Sequence, residues 1–165
     1  MADVAASVLT KLRNKAKAAG ISYQQCLQLF MQEEFLRKLS KSGYDDTLIL
    51  KGGLFIYTLT NFESRATIDV DFLLRSVSNS LDEVKALILK ILATPTGNDY
   101  IEMTAKGFEE ISPQRKYHGI STQIIGKIKI QIFLEPVFDA IVNEEQWQKQ
   151  WRSIECNWKV VKENE

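Results

Sequence analysis

The chain has 165 residues, enough for one hydrophobic core but not for a second full one. Its 45% apolar and 25% charged residues are typical of a globular domain and exclude a disordered or low-complexity protein. The 21 Lys and Arg residues balance the 21 Asp and Glu residues, which argues against a strongly basic protein that wraps nucleic acid. A local basic site remains compatible with this balance, because a net charge of zero does not exclude a cluster of positive charges at one place on the surface.

The lack of a membrane helix or secretory signal and the spacing of the cysteines both bear on the cellular compartment. No apolar run approaches the roughly 18 residues of a membrane helix, and the Ala- and Lys-rich N-terminus lacks the apolar segment of a secretory signal. We therefore expect no membrane partner. Cys26 and Cys156 lie far apart and match no metal-ligand spacing, which favours two free thiols in a reducing cytoplasm.

The N-terminal segment, about residues 3–43, is predicted to form two helices. Apolar residues recur at helical spacing in the first helix, which ends at Gly20. Ser22 has the position of an N-cap for the second helix, and Gly43 that of its left-handed C-terminal residue.

The middle of the chain is predicted to alternate between short strands and helices. A Gly-Gly break separates the first strand from its helix, and Ser80 has the spacing of an N-cap before the last helix. The predicted order is strand Thr47–Leu50, break Lys51–Gly53, helix Leu54–Leu59, strand Ile68–Leu74, and an amphipathic helix over 81–92 that ends at Thr94–Gly97.

The second half is predicted to be richer in β-structure. We expect a short strand over Tyr100–Thr104 and a hairpin of Gly119–Ile125 with Ile128–Leu134, turning at Gly126-Lys127. Pro136 would halt the second strand, and the Trp147/Trp151 pair indicates a helix after it. The whole chain, 1–165, is thus predicted to be one α+β domain. Its small mixed β-sheet would carry the N-terminal helices, with a core over about 47–139 and a helical tail over about 140–165.

Two carboxylates stand out within an apolar strand. Asp69 and Asp71 are two residues apart, so on a strand both side chains point to the same face. Like charges held that close are unfavourable unless a cation lies between them, and oxygen ligands suit Mg²⁺ or Mn²⁺. The pair therefore predicts a divalent-cation site.

The two glycines before this strand predict a phosphate site. Gly52 and Gly53 lie between a strand and a helix, where missing side chains let backbone N–H groups approach a phosphate. The helix N-terminus adds partial positive charge, and Lys51 supplies a full one. Phosphate donors beside metal ligands suit phosphoryl or nucleotidyl transfer.

In their order and spacing, these residues resemble the AbiEii/AbiGii-type nucleotidyltransferase toxins of the DNA polymerase β-like superfamily. The resemblance rests on Leu50-Lys51-Gly52-Gly53 followed by Arg65-x-Thr67-x-Asp69-x-Asp71-Phe72. Glu33–Ser42 is similar to the helix before that motif, and Tyr117–Ile120 to a turn before later strands. The similarity extends from Ile21 to about Asp139.

The resemblance implies a nucleotidyltransferase-like fold and a Mg²⁺-dependent transfer of a nucleotide from an NTP to an acceptor. Relatives act in toxin–antitoxin or abortive-infection phage-defence pairs, and some modify tRNA, so an RNA acceptor and a cognate antitoxin are the implied partners. In this chain Asp69 and Asp71 would hold the metal ions, and Gly52 and Gly53 the triphosphate. The implied role of Lys51, Arg65 and Thr67 is to position the phosphates or to support the loop.

Two features depart from the family pattern. The superfamily usually has a third carboxylate on a later strand, where this chain has Gln131. Glu135 is four residues further on and would share a strand face with Gln131 if the strand continues, so we expect Glu135 to be the third catalytic acid, with Asp139 the weaker candidate. Members of the family are also commonly longer, so the resemblance implies a truncated form, a short branch or a decayed copy.

Other functions stay open at this point. Gln131 favours a catalytically weak nucleotide-binding or protein-interaction module that retains the fold, whereas the intact Asp69/Asp71 pair favours an enzyme. A purely structural α+β domain is the third alternative. His118 is the chain's single histidine, and a turn or surface role for it excludes a hydrolase triad.

Overall fold

A computed structural model describes residues 4–60, 64, 67–111, 119–129 and 152–161, the last range by its backbone alone. This part of the chain contains four helices and five strands. In chain order they are α1 Val4–Ala19, α2 Tyr23–Ser42, β1 Leu48–Lys51, α3 Gly52–Leu59, β2 Val70–Leu74, α4 Leu81–Ala93, β3 Ile101–Ile111, β4 Gly119–Ile128 and β5 Arg152–Val161.

The five strands form one sheet in the order β1-β2-β5-β4-β3. β2 and β5 are parallel, whereas the other three neighbouring pairs are antiparallel. The sheet is therefore mixed, and the predicted α+β class with a small mixed sheet is confirmed.

The ends of α2 and α4 follow from local sequence. The Ser22 hydroxyl accepts a hydrogen bond from the Gln25 backbone N–H at 3.1 Å, and Ser80 accepts from that of Glu83 at 3.3 Å. Gly43 ends α2 in the left-handed region, with φ +76°. All three predicted helix ends are confirmed. In the part of the chain that the structure describes, no helix has both the length and the apolar character that a membrane crossing requires.

Helix α2 packs on the core face of the sheet and contacts β2 directly. The rings of Phe35 and Phe72 lie 5.8 Å apart between centroids, and neither side chain is exposed. Alternate residues of β2 and β4 are buried on this face, so each strand has one face turned away from the core. The buried residues are Val70, Phe72 and Leu74 of β2, and Ile120, Thr122, Ile124 and Ile128 of β4.

The buried carboxylate of Glu34 joins α2 to the turn between α4 and β3. It accepts hydrogen bonds from Asn98 Nδ2 at 2.6 Å, from Arg37 Nη1 at 3.0 Å and from the Thr96 hydroxyl. Burial raises the pKa of the neighbouring Tyr100, with the Glu34 charge acting in the same direction and Arg37 opposing it. The hydrogen bonds from Thr96 and Asn98 to Glu34 hold the turn between α4 and β3 against α2.

Helix α1 packs on α2 near Cys26. This cysteine is a buried free thiol, as predicted, and its Sγ donates to the Leu12 carbonyl at 3.4 Å. Burial raises the pKa of the thiol, although Lys15 partly opposes that shift, so Cys26 is a packing residue rather than a reactive one.

The predicted hairpin turn at Gly126-Lys127 is wrong. Both residues lie inside β4, where Gly126 pairs with Met103 of β3 and with Ile154 of β5. A Cβ atom at Gly126 would lie 2.5 Å from Sδ of the buried Met31, so the glycine makes room for a side chain of α2. β4 pairs with β3, which runs to Ile111 rather than to Thr104.

The predicted helical tail is also wrong over Arg152–Val161, because these residues form β5 between β2 and β4. Their apolar residues recur with period two from Ile154 to Val160, which is a strand pattern. The sheet therefore extends beyond the predicted core limit at residue 139. Pro136, Trp147 and Trp151 lie outside the described residues, as does 130–134, where the predicted strand was to continue.

We predict that Glu34→Gln lowers the free energy of unfolding by about 1–3 kcal/mol, because the new amide NH₂ meets hydrogen-bond donors and the buried charge that pairs with Arg37 is lost. The matched control is Glu33→Gln, since Glu33 is 65% exposed and its ion pair with Arg37 lies at the surface. Urea denaturation should show a change of less than about 0.5 kcal/mol for the control. Equal effects of both substitutions would contradict a structural role for the buried carboxylate.

Candidate functional site

The site lies at the sheet edge where β1 and β2 pair. Lys51 stands directly opposite Asp71, and Leu50 opposite Phe72. Residues paired across two strands share a face of the sheet, so Lys51 and Asp71 lie on the face opposite the Phe72 ring. The antiparallel pairing of β1 with β2 thus places a lysine and an aspartate side by side.

Asp69 directly precedes β2, whose second residue is Asp71. Val70 between them is fully buried, whereas both aspartates are half-buried. This is the alternation of an extended chain with one face in the core, and it turns both carboxylates away from the core. Two half-buried carboxylates on one face can bind a cation while remaining accessible to ligands.

The backbone of Gly52 lies against the Asp71 carboxylate. Gly52 begins α3 with φ +71°, a conformation that side chains other than glycine rarely adopt. A Cβ atom there would lie 2.5 Å from Asp71 Oδ2 and 3.2 Å from Asp71 Cγ. Only a glycine permits this close approach of the α3 N-terminus to Asp71.

Gly53 makes a similar approach to Thr67. A Cβ atom at Gly53 would lie 3.1 Å from Thr67 Cβ and 3.2 Å from its methyl carbon. The Thr67 hydroxyl donates to the backbone carbonyl of Asp69 at 3.2 Å. Of the two roles expected for Thr67, this contact matches support of the loop.

The N-terminus of α3 differs from those of α2 and α4. Its N-cap residue, Lys51, makes no side-chain capping hydrogen bond, whereas Ser22 and Ser80 both cap their helices. The first-turn N–H groups of α3 are therefore not used by a capping side chain. Such groups, with the positive end of the helix dipole, bind anions.

Lys159 is a site position that the sequence alone did not indicate. It pairs in register with Asp71 on the parallel strand β5, so Asp71 has a lysine position on each side, Lys51 and Lys159. Nothing in the sequence could place Lys159 there, because its position depends on a pairing between strands more than 80 residues apart.

Gln32 is a second residue that the sequence reasoning missed. Its side chain is 1% exposed, and its Nε2 donates to the Thr67 carbonyl at 3.0 Å and to the Ile68 carbonyl at 3.1 Å. The only sequence signal was a polar residue next to Met31 on the core side of α2.

Several predicted site residues lie outside the described residues: Arg65, Gln131, Glu135, Asp139 and the excluded His118. Within residues 4–60, 64, 67–111, 119–129 and 152–161, no group of three or more His, Cys, Asp or Glu side chains is arranged to hold a metal ion. The described part of the site therefore offers the Asp69/Asp71 pair and its surroundings.

We predict that Gly52→Ala weakens Mn²⁺ binding in the presence of ATP about tenfold or more, because the new methyl group displaces the Asp71 carboxylate. Gly43→Ala is the matched control, since Gly43 has φ +76° but no atom within 4 Å of an added Cβ. Both variants should lose about 1–2 kcal/mol of unfolding free energy from left-handed strain. Calorimetric titration that finds the same Mn²⁺ affinity in both would show that the contact with Asp71 does not matter.

Comparison with known proteins agrees with this geometry. The sequence pattern of the family described as "Nucleotidyl transferase AbiEii toxin, Type IV TA system" matches residues 34–156, which is more than half of the chain. No curated protein and no solved structure matches this chain. The matched range contains Lys51, both glycines and both aspartates. The chain therefore belongs to the AbiEii nucleotidyl transferase toxin family of type IV toxin–antitoxin systems.

Proposed function

We propose that this chain is a nucleotidyltransferase that uses Mg²⁺ or Mn²⁺ to transfer a nucleotide from an NTP to an RNA acceptor such as tRNA. The observation that carries the proposal is the approach of Gly52 to the Asp71 carboxylate, with room for no side chain between them. It joins an uncapped helix N-terminus, suited to phosphate, to a carboxylate suited to a divalent cation. An NTP would supply ligands for both, because its triphosphate binds a divalent cation.

The phosphate half of the proposal rests on α3. The backbone N–H groups of Gly52 and Gly53 would donate to phosphate oxygens, because neither residue has a side chain to keep the phosphate away. Lys51 would add a full positive charge on the same sheet face as Asp71. Thr67 would keep the loop in place through its bond to the Asp69 carbonyl, and Arg65 would contribute a further cation for the phosphates.

The residues present also fit the divalent cation. Mg²⁺ is usually held by one or two carboxylates together with substrate phosphates. Asp69 and Asp71 supply two half-buried carboxylates, and that of Asp71 lies against Gly52 at the α3 N-terminus. When bound, the ion would polarise the phosphoryl oxygens and offset developing negative charge. The two aspartates would hold it, while the Gly52 backbone keeps the Asp71 carboxylate in one orientation.

Glu135 would complete the site as the third acid. Its carboxylate would take the proton from the attacking hydroxyl of the acceptor, a role that the neutral amide of Gln131 cannot fill. The family's place in type IV toxin–antitoxin systems further supports a cognate antitoxin as a partner, and a toxic rather than a housekeeping transfer.

We predict that Asp69→Asn and Asp71→Asn each reduce nucleotide transfer about 10²-fold or more, because each removes one charged ligand of the cation. The assay is incubation with labelled NTPs, Mg²⁺ and total tRNA. Asp45→Asn, which changes an exposed aspartate between α2 and β1, should retain full activity. Wild-type protein that binds NTP with Mg²⁺ but transfers nothing to any RNA would instead favour a nucleotide-binding module.

We predict that Glu135→Ala lowers the transfer rate by about 10²- to 10⁴-fold, the usual range for loss of a general base. Gln131→Asp should leave the rate of the wild-type chain unchanged, because the acid is already supplied. Single-turnover rates at saturating NTP provide the measurement. A gain of activity in Gln131→Asp, with an active Glu135→Ala variant, would reassign the third-acid position to residue 131.

A further inference from the structure

Gln32 lies outside the range matched by the family pattern, yet it reaches the chain that leads into the carboxylate pair. Its single Nε2 group has two hydrogens, and it uses them on two consecutive carbonyls, those of Thr67 and Ile68. These carbonyls immediately precede Asp69. A change in the position of Gln32 would therefore be transmitted to Asp69 through one residue of backbone.

The same helix also fixes the strand on the other side of the aspartates. Phe35 is one helical turn beyond Gln32 and packs against the Phe72 ring, next to Asp71. Helix α2 thus holds the segment that carries Asp69 and Asp71 at two points, one polar and one apolar. A two-point attachment fixes both the position and the direction of the segment between them.

The burial of Gln32 is costly, which indicates a specific reason for it. Its Oε1 is buried and has no hydrogen-bond partner among the described residues. A buried polar atom without a partner costs about 1–3 kcal/mol, and an apolar residue on the core side of α2 would avoid that cost. Local violations of this kind are expected where a site requires them.

We propose that Gln32 is a positioning residue for the Asp69/Asp71 pair, acting through its two hydrogen bonds to the backbone before β2. The proposal rests on the proposed function for its consequence in catalysis, since it names how that site is held rather than what it binds. Gln32 touches neither cation nor nucleotide. It keeps the two carboxylates at the separation and orientation that one divalent cation requires. Partners that orient metal ligands typically change metal affinity about 10- to 100-fold when removed.

The first variant for the test is Gln32→Met, which keeps the length of the side chain and removes the donor. Gln24→Glu is its control, because Gln24 is an exposed residue of the same helix. A second variant, Thr67→Val, removes the hydroxyl that donates to the Asp69 carbonyl while keeping the shape that packs on Gly53. Thr67→Val loosens the same segment by removing a hydrogen bond within it, independently of α2. This variant keeps the proposal testable if Gln32→Met folds poorly.

The first measurement is amide hydrogen exchange in the segment over residues 67–71. We expect Gln32→Met and Thr67→Val to speed exchange there about tenfold or more, beyond any change that global unfolding accounts for. Exchange in α4 and in the control should stay unchanged. Equal exchange of the segment in wild type and both variants would overturn the proposal, whatever the activity of the protein.

The second measurement is Mn²⁺ titration in the presence of a non-hydrolysable ATP analogue. We expect Gln32→Met to raise the Mn²⁺ dissociation constant about tenfold or more, with a smaller change in nucleotide affinity measured at saturating Mn²⁺. An unchanged Mn²⁺ constant beside faster exchange would also overturn the positioning role. Wild-type protein that binds Mn²⁺ with nucleotide but transfers nothing would contradict the proposed function alone. If the wild type binds no Mn²⁺, the metal-dependent function fails, and the exchange measurement still decides whether Gln32 holds the segment.

Discussion

The contact between the Gly52 backbone and the Asp71 carboxylate is the constraint on which the site depends. It requires a residue without Cβ, because an added carbon would lie 2.5 Å from Oδ2, and it requires a positive φ. It also requires the antiparallel pairing of β1 with β2, which sets Lys51 opposite Asp71. Gly52, which follows Lys51, then lies against the Asp71 carboxylate. The N-terminus of α3 and the Asp71 carboxylate are thereby brought into direct contact.

Helix α2 links this site to the stability of the domain. Its Phe35 packs on β2, its Gln32 bonds to the segment before β2, and its Glu34 holds the turn between α4 and β3. These residues span little more than one turn of α2. A displacement of α2 would therefore disturb the core, the site and the connection between α4 and β3 together. The unpartnered Oε1 of Gln32 is the one place in this group where stability is lowered.

The strand register around Asp71 brings lysine positions together locally in a chain that has no net charge. Lys51 on β1 and Lys159 on β5 occupy the register positions on either side of Asp71, so two lysine positions flank one aspartate. Under the proposed function, the Lys51 charge would attract a triphosphate over a short distance without making the whole surface basic.

The sequence by itself determined the features that depend on neighbouring residues. The caps at Ser22 and Ser80, the left-handed Gly43, and the order of the Gly-Gly break and the two aspartates all follow from local backbone chemistry, which acts over about four residues. The tertiary structure alone decided the placement of Gly126, the position of β5 between β2 and β4, and the role of Gln32. Gly126 is a turn residue by local preference but lies inside β4, because it must accommodate Met31 from a helix nearly a hundred residues away. The partners of Gln32 and of β5 are likewise remote in sequence. The period-two pattern of β5 indicates a strand, but it does not specify which strands pair with it.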